Sequence, residues 1–443
     1  MIVALAVLLY LVRLNPAHAE ESHIDYRYNV YQEDNDRIGV TTHSALFDVT
    51  LTPKIRLSGE LVIDSISGAT PVGAPAYKDW NTSGTQFSER YAEQNFGYLR
   101  PFFSDAAAWT NYVATSPGPS GQIQQATADY LNSFTNSANF KSPRAPVTTQ
   151  VDFRESISLS LPVTFGNNLL TPQFSYSEES DYVSTGLALN YARNLNDKNT
   201  TLNLGWSHNF DSVRDDFFIW QKKDSDDFFI GVNQLINSKT YFTANFTYGH
   251  SSGYLSDPYR IVYAGNALLQ QQTGFDDPNG TPILMDADGL RPEKRPSKKD
   301  KFIGYVSLVH FFTPLNAGAE MSYRFYHDTY GVNAHTIDFA WHQKIGRKLV
   351  ISPSFRYYHQ NAADFYYYMV PDYNNWPQFY SADYRLSEFE SFTYGICLTW
   401  RIAKAMSLDF TYSRYEMIGM DGVTADSIYP AANVFGIGAR LWF

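Results

Sequence analysis

The segment AEMSYRFYHD, residues 319–328, alternates between apolar and polar side chains. One set is Ala319, Met321, Tyr323 and Phe325, and the other is Glu320, Ser322, Arg324 and Tyr326. Successive side chains of a β-strand point to opposite faces of the sheet. The segment therefore predicts a strand with one apolar face and one wet face, a pattern that suits a membrane barrel or a soluble sandwich.

The same alternation recurs along the chain, for example in TLNLGWSHNF (201–210) and NVFGIGARLWF (433–443). Turn residues separate sixteen such segments. We predict strands at 22–33, 38–52, 55–67, 147–164, 169–179, 182–195, 200–212, 225–236, 240–251, 300–312, 316–328, 332–344, 348–360, 385–402, 406–417 and 431–443. Fourteen or eighteen strands would also fit if one hairpin were placed differently.

The connections between these strands fall into two classes. Every even-numbered connection is a tight turn (TPK, GNN, NDKN, INSKT, TPLN, GRK, AKA), and every long connection is odd-numbered. Short turns at one end and long loops at the other are typical of outer-membrane barrels. The sheet must also close, because an open edge leaves backbone groups unpaired in hydrocarbon. We therefore predict an all-β fold, a transmembrane antiparallel barrel of about 16 strands with long extracellular loops and short periplasmic turns.

The composition agrees with this fold class. Aromatic residues make up 16% of the 443 residues, with 33 Tyr and 31 Phe, although only 18% are charged and the mean hydropathy is -0.33. A helical membrane protein would be far more apolar, and a water-soluble enzyme rarely contains so much Tyr and Phe. A barrel with one lipid-facing side and one wet side accounts for the mixture.

The first part of the chain, residues 1–19, predicts a cleaved signal peptide that leaves 20–443 as the barrel. The apolar run IVALAVLLYLV is too short to span a bilayer, and Ala17-His18-Ala19 is a small-x-small cleavage site. The usual basic segment before the run is missing, which leaves the true start open. Cleavage leaves 33 basic and 45 acidic residues, a net charge of -12, which argues against nucleic acid and anionic lipid as partners. The single cysteine, Cys397, excludes an intrachain disulfide.

Aromatic residues near the short turns are predicted to form an interfacial girdle on the apolar face. They are Tyr191, Phe311, Trp341, Trp400 and Phe443. The final strand, which ends in Phe443, resembles the C-terminal signature of Gram-negative outer-membrane proteins. That resemblance implies a bacterial outer-membrane location, contact with lipid and lipopolysaccharide, and recognition by the barrel-assembly machinery.

Charged residues on the polar strand faces are the candidate functional residues. An arginine facing lipid at the bilayer midplane costs about 2–4 kcal/mol, so we expect them to line the lumen. Together with Asp25, they are Arg27, Arg56, Glu60, Asp64, Asp152, Arg154, Glu320, Arg324, Asp338, Arg356, Asp409 and Arg440. They could simply pair and hydrate a wet interior, or they could form a channel lining that selects solutes. A barrel of about sixteen strands leaves an aqueous interior unless a loop plugs it.

Two long connections, 68–146 and 252–299, are predicted to be large extracellular insertions. In the first, SDAAAWTNYVA and GQIQQATADYLNSF are expected to be helices capped by Asp105 and Ser120. Its aromatic residues could pack the loop against itself or form a ligand platform; they include Trp80, Tyr91, Phe96, Tyr98, Phe102, Phe103 and Trp109. In the second, DDPNG and DADG resemble calcium-loop fragments without a full ligand set, so we interpret them as turns. The basic cluster RPEKRPSKKD could be a solvated loop base, or it could pair with lipopolysaccharide phosphates or with the acidic rim.

The sequence contains no motif that identifies a catalytic site. The stretch SISG at 65–68 lacks the first glycine of a nucleophile elbow. A Ser–His pair could arise by chance from the histidines, which include His43, His208, His310, His327 and His342. The carboxylates of the odd-numbered turns, Asp34, Asp36, Glu178, Glu179 and Asp181, are interpreted as solvated rim groups. Without metal-ligand spacing, a phosphate loop or a haem motif, we predict no metal, no cofactor and no enzymatic activity.

Several longer phrases carry a family resemblance. RYNVYQEDNDRIGV (27–40), DSISGATP (64–71), SDPYR (256–260) and RPEKRP (291–296), together with the stretch at 172–211, resemble a bacterial outer-membrane family catalogued as a domain of unknown function. The phrases span most of the chain after the signal. The resemblance implies a barrel of uncharacterised activity and assigns no catalytic residues.

The functional prediction is a channel or transport component for small polar solutes. The alternatives are a surface-binding or structural barrel plugged by its loops and, in third place, a barrel hydrolase. Neither the solute nor the oligomeric state follows from the sequence. The topology predicts that a tag near Asn279 is labelled on intact cells and that a tag near Asp197 is not.

Overall fold

A closed antiparallel barrel of sixteen strands makes up most of the molecule. The computed structural model describes residues 22–71, 92, 95–102, 105–136, 147–215, 219–263, 290–371, 375–424 and 426–443. The predicted signal peptide, Trp80, Tyr91, Phe103 and the DDPNG and DADG stretches lie outside the described residues. The predicted fold class and strand count are confirmed.

The strands follow one another around the barrel in chain order. They are β1 (His23–Glu33), β2 (Ile38–Thr52), β3 (Ile55–Pro71), β4 (Val147–Ser160, resumed at Val163–Phe165), β5 (Asn168–Glu178), β6 (Tyr182–Leu195), β7 (Thr200–Arg214), β8 (Trp220–Asn237), β9 (Thr240–Gly253), β10 (Lys298–Phe312), β11 (Ala317–Asp328), β12 (Asn333–Ile345), β13 (Leu349–Gln360), β14 (Phe389–Ala403), β15 (Met406–Gly419) and β16 (Ala431–Trp442). Strand β4 is interrupted at Leu161 and Pro162, because proline cannot donate to the ladder.

The first and last strands close the barrel. Strand β1 pairs with β16 from His23 opposite Trp442 to Glu33 opposite Ala432, and it pairs with β2 on its other side. Every barrel strand therefore has two hydrogen-bonded neighbours in the described part of the chain. Closure satisfies the backbone groups that an open edge would leave unpaired in lipid.

All seven even-numbered connections are short, and they lie at one end of the barrel, which we call the short-turn end. Their left-handed positions are occupied by residues that tolerate positive φ, such as Gly166 (60°), Gly346 (59°) and Asn316 (50°). The odd-numbered connections lie at the opposite end, called here the long-loop end.

Besides the start of β8, which lies at Trp220 and not at the predicted residue 225, two strand boundaries differ from the prediction by four residues. Strand β3 continues past Ser67 and pairs as far as Pro71 opposite Val147, so the DSISGATP phrase is a strand rather than the start of the loop. Strand β14 begins at Phe389, because Tyr384–Leu386 forms a 3-10 turn inside the preceding loop. Hydrogen bonds to residues far along the chain decide both boundaries, and local alternation does not report them.

The insertion after β3 contains two helices, α1 (Ala106–Thr115) and α2 (Pro117–Asn136). The predicted cap of α1 is confirmed, since the Asp105 carboxylate accepts a hydrogen bond from the Ala108 backbone N–H at 2.8 Å. The predicted cap of α2 is wrong, because α2 begins at Pro117 and Ser120 lies within its first turn. No helix in the described part of the chain is long and apolar enough to cross a bilayer.

The insertion packs against itself. Ala92, Phe96, Trp109 and Val113 form a buried cluster, whereas the side chain of Phe102 is 82% exposed. This arrangement fits the self-packing interpretation of the aromatic residues more closely than a continuous ligand platform. It also accounts for the length of the connection, because the insertion has a small core of its own.

The register sorts the barrel side chains into two faces, since residues directly opposite each other on neighbouring strands share a face. Among the predicted girdle residues, Tyr191, Trp341, Trp400 and Phe443 lie on the apolar face. Phe311 does not, because it lies opposite Gly318, on the face of Glu320. Its neighbour Phe312 takes the outer position and stacks on Trp341 at 5.6 Å. Because two phenylalanines are adjacent before the turn, the alternation of side chains does not indicate which of them faces outward.

Candidate functional site

The twelve predicted lining residues all lie on the polar face of the sheet, as the register shows. Asp64 is opposite Arg154, Asp338 is opposite Arg356, and the remaining members follow by the two-residue period. The opposite face is covered by exposed apolar side chains, among them Leu204, Phe246 and Ile437. At the short-turn end, residues of six adjacent strands, β12 to β16 and β1, line a half-open chamber of about 650 Å³, called here the short-turn chamber. The polar face is accordingly the inner wall.

Ion pairs on the inner wall run across strands. The Arg440 guanidinium holds Asp25 through two contacts of 2.6 and 2.5 Å at the β1–β16 seam. The Arg154 Nε donates to Asp64 at 2.7 Å, and Arg356 lies 3.5 Å from Asp338. Side chains that face each other across strands are close enough to pair, so the barrel neutralises part of its interior charge.

One ion-pair partner on the inner wall was not predicted from the sequence. Arg56 binds Asp48 on the neighbouring strand at 2.7 Å, and Asp48 was not among the predicted lining residues. The alternation of side chains along β2 places Asp48 on the polar face, so the sequence contained the information needed to predict it as a lining residue. Within the described residues, six predicted lining residues form no ion pair: Arg27, Glu60, Asp152, Glu320, Arg324 and Asp409.

Asp152 belongs to the rim of the barrel. Its carboxylate accepts hydrogen bonds from Ser180 at 2.9 Å, and carboxylate oxygens of Glu179 and Asp181 lie within 4.8 Å of it. The Tyr259 hydroxyl donates to Asp181. These contacts tie the rim acids to a long loop, which makes them part of the structure at the long-loop end.

The histidines form hydrogen bonds to neighbouring strands. On the outer, apolar face of the sheet, His208 contacts Asp226 at 2.9 Å and His250 contacts Asp300 at 2.8 Å. His342 contacts the Ser352 hydroxyl at 2.9 Å, a Ser–His pair. A third group that orients the histidine completes a nucleophilic triad. No carboxylate in the described part of the chain contacts His342, so the pair lacks that group.

The loops beyond the inner wall fold together at the long-loop end into a structure that we call the loop cap, residues 254–263, 290–297, 361–371 and 375–388. Lys294 and Tyr380 exchange backbone hydrogen bonds of 2.9 Å, which join two of its segments. The cap packs against inward-facing tyrosines of β11, β13 and β15, namely Tyr326, Tyr358 and Tyr415. The cap therefore lies in the mouth of the barrel.

A buried ion cluster holds the cap together. Asp383 is 1% exposed and binds Arg385 at 2.6 Å and Arg295 at 2.8 Å. Glu293 binds Arg295 at 2.6 Å, and Asp257 binds Arg385 at 2.5 Å. With Arg260, which lies 3.4 Å from Asp257, three carboxylates face three guanidinium groups. A buried charge is tolerated where it is paired and hydrogen-bonded, and this cluster meets both conditions.

The two acids at the centre of the cap respond in opposite directions to their surroundings. Burial raises the pKa of the Glu293 carboxyl to about 7, and the charge of Asp383 adds to that rise while Arg295 opposes it. Burial acts on Asp383 in the same sense, but Arg385, Arg260 and Arg295 together hold its pKa well below its usual range. The difference follows from the number of guanidinium groups around each carboxylate.

The ion cluster explains two of the phrases that carried the family resemblance. SDPYR supplies Asp257 and Arg260, and RPEKRP supplies Glu293 and Arg295. The RPEKRPSKKD segment was given three interpretations, and the structure shows pairing with carboxylates of the cap and rim, including Lys299 with Asp328 at 2.9 Å. Asp383 and Arg385 were not singled out from the sequence.

At the opposite end of the barrel, six cationic side chains line the short-turn chamber. They are Arg27, Lys344, Arg347, Lys348, Arg401 and Arg440. The Cζ atoms of Arg401 and Arg440 lie 5.4 and 5.7 Å from the centre of the Trp442 ring. Gly438 lies opposite both Arg27 and Asp409, and its lack of a side chain leaves room in the wall.

A closed barrel with an apolar outer belt, a charged inner wall and loops gathered at one end is a transmembrane β-barrel of the outer-membrane type. The chain belongs to the family described as Protein of unknown function (DUF3570), whose model matches residues 3–217 and 219–432. The predicted family is thereby confirmed. No curated protein matches the chain.

Solved barrels from bacterial outer membranes resemble the fold at very low sequence identity. A structure titled bacterial polysaccharide outer membrane secretin is 7% identical, with a TM-score of 0.43 over 95% of this chain and 98% of that one. OmpT of Vibrio cholerae, as a loop L8 deletion mutant, is 8% identical with a TM-score of 0.38 over 95% and 98%. The ferric enterobactin receptor of Pseudomonas aeruginosa is 11% identical with a TM-score of 0.40, and the match covers 96% of this chain and 60% of the receptor.

Proposed function

We propose that the protein acts in a bacterial outer membrane as a channel or transport component for small polar solutes. The observation that carries the proposal is the inner wall, which carries the twelve predicted lining residues and, within the described part of the chain, includes charges without an ion-pair partner, such as Arg27 and Arg324. A wall of this kind can hold water and can discriminate between solutes by charge.

The loop cap narrows the entrance in this proposal. It packs on inward-facing tyrosines, and its ion cluster is buried, so it is a built structure rather than a solvated loop. A folded cap in the mouth of a wide barrel favours selective passage over a permanently open pore.

The orientation follows the general rule for such barrels, with the short turns in the periplasm and the cap outside. The apolar belt would contact lipid and lipopolysaccharide, and the strand that ends in Phe443 would be recognised by the assembly machinery after cleavage of the signal at residues 1–19. A tag near Asn279 should be labelled on intact cells, and a tag near Asp197 should not. Reversed labelling would overturn the orientation.

Conductance tests the channel proposal directly. Purified protein is inserted into planar bilayers as the wild type, as a variant with residues 72–146 replaced by a short turn, and as Asp383→Asn, which opens the ion cluster of the cap. We expect discrete conductance steps that are larger in at least one of the two variants than in the wild type. Correctly folded protein that gives no steps in any of the three forms would end the proposal.

A second candidate is a surface-binding or structural barrel plugged by its loops, and the packing of the cap on the inner wall favours it. This candidate requires that Asp383→Asn, with its cap loosened, still conducts no ions. We propose no catalytic role, since the Ser352–His342 pair lacks an orienting acid among the described residues. A serine-directed phosphonate should accordingly leave the folded protein unlabelled.

A further inference from the structure

The short-turn chamber differs from the rest of the inner wall in its charge balance. Of its six lining cations, only Arg440 is held by a carboxylate, that of Asp25. Arg27, Lys344, Arg347, Lys348 and Arg401 form no ion pair within the described part of the chain. Asp409 is the carboxylate among the residues that line the chamber. Five cations without a carboxylate partner therefore surround a space that contains a single carboxylate, Asp409, which forms no ion pair in the described part of the chain.

Such an imbalance is unusual in a protein with a net charge of -11. Elsewhere on the wall, some arginines have a carboxylate directly opposite, as Arg154 has Asp64. Like charges gathered in a concave site repel one another and raise the positive potential within it. An anion that enters the chamber relieves this repulsion, so the site is electrostatically prepared for one.

The geometry also favours an oxyanion over a simple halide. Arginine presents a planar fork of donors that matches carboxylate and phosphate oxygens, and the chamber contains four arginines. Two of them, Arg401 and Arg440, stack on Trp442, which restricts their motion before a ligand arrives. Arg347 and Lys348 occupy the tight turn that joins β12 to β13, so the backbone fixes their position at the chamber floor.

The volume sets the size of the ligand. A chamber of about 650 Å³ lies in the range of small-molecule sites, which is about 300–1,000 Å³. Single phosphate or carboxylate groups would leave most of the five cations uncompensated. We propose that the chamber binds a small solute with two or more carboxylate or phosphate groups, which enters from the periplasmic side. The proposal deepens the channel function and rests on it for the direction of entry.

Calorimetry tests binding without any need for transport. The full-length protein in detergent is titrated with inorganic pyrophosphate and, separately, with citrate. We expect at least one of them to bind, and Arg347→Gln/Lys348→Gln to weaken that binding by about tenfold. The matched control is Lys198→Gln/Lys239→Gln, which removes two charges from other tight turns at the same end. The control should change affinity by less than about twofold, because these lysines lie outside the chamber.

The two probes also separate the chemical sources. Binding of pyrophosphate alone identifies a phosphorylated solute, binding of citrate alone identifies a polycarboxylate, and either result supports the site. Absence of binding by both probes, or equal weakening in the two double variants, overturns the inference. Heat-modifiable migration on a gel establishes that each variant retains the barrel.

Reversal potentials in planar bilayers then distinguish this inference from the proposed function. Under a salt gradient, we expect anion selectivity that shifts towards cations in Arg347→Gln/Lys348→Gln and remains unchanged in the control. Oxyanion binding by a protein that conducts no ions would refute the channel and leave the chamber standing as a binding site. Conductance without oxyanion binding, with the same selectivity in all variants, would refute the chamber and leave the channel.

Discussion

The loop cap and the short-turn chamber contain the same kinds of side chain in opposite arrangements. In the cap, three arginines face three carboxylates, of which Glu293 and Asp383 are buried. Asp383 contacts both Arg295 and Arg385. In the chamber, five cations share one free acid, Asp409. Charge that is paired and buried holds a structure together, whereas charge that is left unpaired in a cavity remains available to a ligand.

The difference also separates structural from functional interpretations of a charged residue. A count of arginines would rank the two regions as equal candidates for a binding site. The location of the nearest carboxylate distinguishes them, and it depends on contacts between residues far apart in the chain, such as Arg295 and Asp383.

The largest effect is expected for Asp383→Asn. The substitution removes the buried carboxylate that Arg295 and the half-exposed Arg385 share. Breaking a fully buried pair costs about 3–5 kcal/mol, and the exposure of Arg385 makes this an upper bound. We expect the cap to open while the barrel remains folded. Hydrogen exchange of residues 254–260 and 290–297 should accelerate by orders of magnitude, and gel migration of the unheated barrel should be unchanged. Wild-type exchange rates in both segments would show that the cluster does not hold the cap.

The next largest effect is expected in the pH dependence of the stability of the cap. The pKa of Glu293 is raised to about 7 from 4.5, so the folded cap binds a proton that the unfolded segment releases. The contribution of Glu293 to the stability of the cap is therefore fully present below about pH 4.5. This contribution is lost as the pH rises through 7. Asp383 acts in the opposite sense, because its lowered pKa gives stability that is lost only on strong acidification.

Urea titrations followed by limited proteolysis at pH 5.5 and pH 8 measure this dependence. The wild-type cap should resist more urea at pH 5.5. Glu293→Gln, which resembles the protonated carboxyl, should have a cap about as stable as wild type at pH 5.5 and a much smaller difference between the two pH values. A wild-type cap that becomes more stable towards pH 8 would contradict the assigned direction.

The barrel was predictable from the sequence because its rules are local. Side-chain alternation has a period of two, and tight turns carry residues such as Gly346 and Asn316 that tolerate positive φ, so strands and turns can be found within short windows. The polar-face assignment of all twelve lining residues uses the same period. Where two neighbours are alike, as at Phe311 and Phe312, the window contains no information on which one faces outward.

The cap and the chamber were not predictable in the same way. Asp383 lies 88 residues from Arg295, and no periodicity links them. The chamber likewise combines residues from both ends of the chain, with Arg27 on β1 beside Gly438 on β16. Of the six cations that line the chamber, the sequence identified only Arg27 and Arg440 as lining residues, and it did not show which charges would be neutralised across strands.

A smaller effect is expected for Asp409→Asn, which removes the free acid of the chamber. The positive potential rises, so the affinity for pyrophosphate should increase by about threefold. Calorimetry measures the change. Glu320→Gln provides the matched control, because it also removes an inner-wall carboxylate but lies outside the chamber lining. Weaker binding in Asp409→Asn would mean that this acid helps to hold the ligand and that the chamber recognises something other than a polyanion.

The smallest effect is expected for Asp34→Asn, which separates pairing from burial. Arg414 holds Asp34 through two contacts of 2.7 Å, a geometry as favourable as that in the cap, but the Asp34 side chain is 42% exposed. The hydrogen bond from Arg414 lowers the pKa of Asp34, so any stabilisation is present at neutral pH and lost on acidification. Exposed pairs contribute at most about 1 kcal/mol, and high salt reduces this further. The urea and proteolysis assay at pH 8 should therefore scarcely distinguish Asp34→Asn from wild type. Loss of cap stability comparable to that of Asp383→Asn would show that pairing, and not burial, sets the strength of the charges at this end of the barrel.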